Sequence, residues 1–78
     1  MIYVYILHSR CGQHFYVGLT GDVNSRLAAH NAGQVRHTSK YRPWIVRTYI
    51  AFSDRDRAVA FEAYLKSGSG RAFASRRF

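Results

Sequence analysis

The sequence predicts an α/β sandwich: a three-stranded antiparallel or mixed sheet flanked by helices, in the order β-β-α-β-α-α. Three observations predict it. Residues 2–8, Phe15–Thr20 and Trp44–Phe52 are rich in β-branched and aromatic side chains, the composition of strands. Two further stretches carry apolar residues at helical spacing behind an Asp that suits an N-cap. The chain has 78 residues, of which 47% are hydrophobic, which is enough for one small core.

Each element follows from its residues. On the first strand, alternation sends Ile2, Val4 and Ile6 to one face and Tyr3, Tyr5 and Leu7 to the other. Residues 9–13 contain Gly12 and Cys11 and read as a hairpin connection. On the second strand Phe15, Val17 and Leu19 share a face opposite Tyr16 and Gly18. Aligning the aliphatic faces gathers Tyr3, Tyr5 and Tyr16 around Gly18, whose missing side chain would let a phosphate approach the backbone. Gly21 stops the strand, and Asp22 caps a helix to about residue 31, with Val23 and Leu27 on its apolar stripe and Gly33 at its end. Arg26 and His30 are four apart and share one face of that helix. Residues 34–43 form a polar loop bearing Arg36, His37, Lys40 and Arg42. After the third strand, Ser53 or Asp54 caps a second helix to about Lys66, burying Ala58, Phe61 and Leu65. Gly68 and Gly70 are expected to break it, and residues 71–78 to form a short basic terminal helix.

Charge narrows the function. Lys and Arg number 12 against 4 Asp and Glu, a net charge of +8, which favours a polyanionic partner. No basic amphipathic helix with an aromatic stripe points to a membrane surface, and no apolar run is long enough for a span. The single cysteine, Cys11, makes a disulfide framework impossible and leads us to expect a reducing, cytoplasmic setting. His8, His14, His30 and His37 do not fall into a zinc-ligand spacing.

The residues with chemistry are Tyr5, Tyr16, Arg26, His30 and Glu62. A phenol, a guanidinium, an imidazole and one carboxylate are the parts needed to cut a phosphodiester with a single metal ion. Singly, each has an ordinary explanation. The tyrosines would pack across a hairpin, Arg26 and His30 would sit on the surface, and Glu62 would pair with Lys66 at i+4. As an ordered set, with the triplets Tyr3-Val4-Tyr5 and Tyr16-Val17-Gly18 ahead of them, they resemble the GIY-YIG nuclease superfamily, in particular its small stand-alone members. Tyr3 stands where that family usually has glycine. Leu19 stands where many members carry lysine, and no Asn follows Glu62. The segment from Leu65 to Phe73 is also similar to the tail of the small members.

The resemblance implies one catalytic domain over residues 1–78 and a metal-dependent DNA endonuclease selective for structure or strandedness: single-stranded, branched or damaged DNA. Glu62 would hold Mg²⁺ or Mn²⁺, Arg26 the scissile phosphate, and Tyr16 would act as general base. Tyr5 would hydrogen-bond the water or phosphate, and His30 would relay a proton or touch the phosphate. Gly18, Arg36, Lys40, Arg42, Lys66 and Arg71 are the expected nucleic-acid contacts, with Arg76 and Arg77 beside them. Tyr41 and Trp44 are stacking candidates, although Trp44 opens a strand and suits the core. Charge alone does not exclude RNA. The alternative is a nucleic-acid-binding module on the same fold with weak or lost catalysis, which Leu19 and the missing Asn favour.

Overall fold

A computed structural model describes residues 1–78. The elements are β1 (Ile2–Ser9), β2 (Phe15–Thr20), α1 (Val23–Asn31), a 3-10 turn (Ser39–Tyr41), β3 (Trp44–Phe52), α2 (Arg55–Lys66) and α3 (Gly68–Arg77). The sheet order is β2-β1-β3, and both pairings are antiparallel. β1 is therefore central, and its run Val4–Leu7 is wholly buried. Tyr5 pairs with Gly18 and Leu7 with Tyr16. On the other side, Ile6 pairs with Thr48 and Leu7 with Val46, so Arg47 is an extra residue bulged out of β3.

Two cores lie on the two faces, as the alternation predicts. Val4 and Ile6 pack with Ala58 and Leu65 of α2, bordered by Phe61 and by Phe73 and Phe78 of the tail. Tyr5, Leu7 and Trp44 pack on the opposite face with Val23 and Leu27 of α1. The result is α1 on one face of the sheet and α2 with α3 on the other.

The helix ends obey local chemistry. The Asp22 carboxylate accepts from the Ser25 backbone N–H at 3.1 Å and from its hydroxyl at 2.9 Å. α1 closes in a Schellman motif: Gln34 N–H donates to Ala29 O at 3.1 Å and Gly33 N–H to His30 O at 3.2 Å, with Gly33 at φ +79°. Asp54 caps α2 by accepting from Asp56 N–H at 3.0 Å.

The tail differs from expectation. α3 begins at Gly68 rather than at residue 71, and the break falls on Ser67 alone. Ser67 has extended backbone, ends α2 through its N–H on Tyr64 O, and caps α3 by accepting from Gly70 N–H at 3.1 Å. Gly70 is no breaker here. It is buried in the first turn of α3, where a Cβ would run into the Tyr64 carbonyl.

Candidate active site

Tyr5 sits mid-strand on the central β1 and is only 1% exposed. Its hydroxyl lies 2.9 Å from His30 Nε2. α1 delivers His30 into the core, where it has no exposed surface, and its Nδ1 lies 2.8 Å from Thr38 Oγ1. The Thr38 hydroxyl in turn donates to Val35 O at 3.2 Å. The hydrogen-bond network assigns the protons. Thr38 has one proton and gives it to Val35, so Oγ1 accepts from Nδ1–H, and Nε2 accepts the Tyr5 O–H. A neutral imidazole fits this chain, and burial, helped by the charge of Arg26, holds the His30 pKa below its ordinary value.

The remaining groups surround this buried chain. Tyr16 is partly exposed, its ring centroid 4.8 Å from His30 and 6.2 Å from Tyr5. Arg26 is exposed on α1. Burial raises the Tyr5 pKa; nearby Arg26 opposes the rise, while Tyr16 and Glu62 add to it. Glu62 belongs to α2, which packs on the opposite face of the sheet from Tyr5. The Glu62 carboxylate pairs with Lys66 Nζ at 3.2 Å and is about a fifth exposed. Tyr5, Tyr16 and His30 are thus in contact and Arg26 bears on both buried groups, while Glu62 stands on the helix packed against the other face of the sheet, paired with Lys66.

Two expectations change. Gly18 does not leave a bare backbone for a phosphate: it is buried, and the Tyr5 ring fills the space its side chain would take. Tyr5 and Gly18 are register partners, so the glycine makes room for the phenol. His30 has no exposed surface through which to touch a phosphate; both its ring nitrogens are engaged inside the core.

The expected nucleic-acid contacts separate into two groups. Arg36, Lys40 and Arg42 are exposed around the 3-10 turn, and Arg42 is steadied by its Nε donating to Ser39 O at 2.8 Å. Lys66 and Arg71 line a cavity of about 790 Å³ that Tyr16 also lines. Trp44 is core, 3% exposed, with its indole N–H donating to Thr38 O at 2.8 Å.

The sequence reading missed Thr38 and Asn31. Thr38 lies inside a polar loop with no periodic signal. Asn31 clamps Trp44 through both amide atoms, at 2.6 and 3.0 Å, and so joins the end of α1 to the start of β3. Only the position of Asn31 in the last turn of α1, beside His30, hinted at it.

No group of three or more His, Cys, Asp or Glu side chains is clustered anywhere. A hard, hydrated cation such as Mg²⁺ fits the donor set that is present, because one partly exposed carboxylate leaves the remaining positions to water.

The chain is similar to known proteins. A UPF0213 protein from Lacticaseibacillus paracasei is 37% identical over 65 residues, 82% of this chain and 72% of that protein. One from Streptococcus pneumoniae is 35% identical over 65 residues, and the match spans 82% of this chain but only 65% of that relative's length. The solution structure of a UPF0213 protein from Bacillus halodurans superposes with a TM-score of 0.58 at 29% identity, covering 99% of this chain and 86% of that one. The family model described as the GIY-YIG catalytic domain matches residues 1–75, with the buried Tyr5, the open Tyr16 and the carboxylate of Glu62 all inside the match, and the chain belongs to the GIY-YIG family.

Proposed function

We propose that the protein is a metal-dependent endonuclease that hydrolyses DNA phosphodiesters, with a preference set by strandedness rather than sequence. One observation carries the reading: the hydrogen-bonded chain Tyr5–His30–Thr38 lies against Tyr16, whose ring centroid is 4.8 Å from His30, and Lys66, the partner of Glu62, lines the same cavity as Tyr16.

Arg26 binds the non-bridging oxygens and stabilises the charge that builds on them in the transition state. Tyr16, once its own phenolic proton has gone to solvent, orients the attacking water as a phenolate and takes the water's proton as the oxygen bonds to phosphorus. The opposite P–O bond breaks, and the leaving oxygen is protonated from solvent. The Tyr5–His30–Thr38 chain fixes the ring positions behind Tyr16. Glu62, freed from Lys66, would hold the cation, which supplies charge neutralisation at the phosphate.

The test is cleavage of labelled single-stranded, duplex and forked DNA with Mg²⁺ or Mn²⁺ and with EDTA. Cutting is expected only with metal, and Glu62→Ala should lower kcat at least about 100-fold, the scale of losing an electrostatic catalytic group. DNA affinity should stay within about threefold, since Glu62 attracts no phosphate. Salt-sensitive binding without cutting by either protein would leave the binding-module reading in its place.

A further inference from the structure

The cavity beside Tyr16 has a chemistry that the cutting residues do not use. It measures about 790 Å³, within the range of sites that hold small organic ligands. Tyr41 and Phe15 line it with large exposed rings, 42% and 57% accessible. Both rings are pre-positioned. Tyr41 is stacked on His14 at 3.7 Å between centroids and 18° between planes, and Phe15 is covered by the Arg47 guanidinium at 5.6 Å. Three cations, Arg47, Lys66 and Arg71, share the lining, and no carboxylate does.

We infer that this groove is a subsite for unpaired nucleotides flanking the scissile phosphate, with a base stacked on Tyr41 and the backbone held by Lys66 and Arg71. Flat rings in a cationic groove are the elements of sequence-independent single-strand binding. A base inside a duplex has both faces covered by its neighbours, so it cannot offer one to Tyr41. The His14 ring holds Tyr41 in place before the strand arrives, which lowers the ordering cost of binding. The subsite rests on the nuclease reading only in that Tyr16, which also lines the cavity, marks the cut.

Binding of a single-stranded oligonucleotide containing 2-aminopurine tests this without requiring cleavage. In a Glu62→Ala background, binding should quench the fluorescence. Tyr41→Ala should abolish the quench and weaken single-strand binding about tenfold, while Tyr41→Phe retains both. Duplex affinity should be unchanged by either substitution. Tyr41 is exposed, and equal melting temperatures will show that the variants fold. Equal weakening on single strand and duplex, or no effect on either, overturns the subsite. A Tyr41-dependent quench in a protein that cuts nothing would sink the nuclease reading and keep the subsite. Cleavage indifferent to Tyr41, with no quench, would do the reverse.

Discussion

The residue that most extends the family pattern is Thr38, because it sets the proton order of the whole buried chain. Thr38→Val keeps the shape but leaves His30 Nδ1–H without an acceptor, which should cost about 1–3 kcal/mol of stability. It should also release the imidazole to the other tautomer, so that Nε2 no longer accepts from Tyr5. We expect kcat to fall at least about tenfold with KM little changed, and Thr38→Ser to restore both. Nitrogen-detected NMR of His30 reads the tautomer directly; an unchanged tautomer in Thr38→Val would defeat the assignment. His30 also makes a pH prediction. Its pKa is lowered in the folded state, so between that value and the ordinary one the unfolded chain binds more protons. Its stabilising contribution is complete above about pH 6.5 and is lost as pH falls below it. Urea unfolding from pH 5 to 7.5 should show stability rising through that window, and a flat profile would contradict a buried neutral His30. Strand alternation fixes the faces of Tyr5 and Tyr16, but the i,i+4 spacing of Arg26 and His30 does not say that the first is exposed and the second wholly buried. Glu62 entered through the ordered set, as no local pattern singles it out. Thr38 was invisible because its role depends on a contact eight residues back across a loop.

At the level of elements, what was legible had a local cause. Asp22 and Asp54 cap their helices as their position implies, and Trp44–Phe52 forms a strand over the run of branched and aromatic residues. What was not legible depended on packing between elements. The glycines of the tail read as breakers, but Gly70 lets the first turn of α3 lie directly on the last turn of α2. Gly70→Ala should therefore undock α3 and lower the melting temperature by several degrees, the effect of about 1–3 kcal/mol of overpacking in a small domain. Gly18 follows the same logic at the site. A Cβ there would strike the Tyr5 ring, so Gly18→Ala should displace the phenol from His30. Activity should drop well before the fold does, with DNA affinity held. Loss of affinity in step with activity would return Gly18 to the phosphate-binding role first expected for it.

Across the whole molecule, three of the four carboxylates are occupied by local partners, and most of the cations make no ion pair. Asp22 and Asp54 cap helices, Asp56 lies in the first turn of α2, and Glu62 pairs with Lys66. Of the 12 Lys and Arg side chains, only Arg57 and Lys66 make ion pairs. A net charge of +8 on a chain with a radius of gyration of 12.0 Å leaves a field that the protein itself does not neutralise. Added salt should thus stabilise the fold, by screening repulsion, while weakening nucleic-acid binding, by competing for the cations. α3 separates the two effects. It carries Arg71, Arg76 and Arg77, all exposed, on the same side of the sheet as Glu62. If these three each meet a phosphate of the bound strand, replacing all of them by Ala should reduce the slope of log affinity against log salt by about 2, at roughly 0.7 per contact on single strands. The same variant should melt higher at low salt, since it removes repulsion and disturbs no ion pair. An unchanged slope with a raised melting temperature would place α3 off the path of the strand and assign the electrostatic grip to Arg36, Lys40 and Arg42 around the 3-10 turn instead.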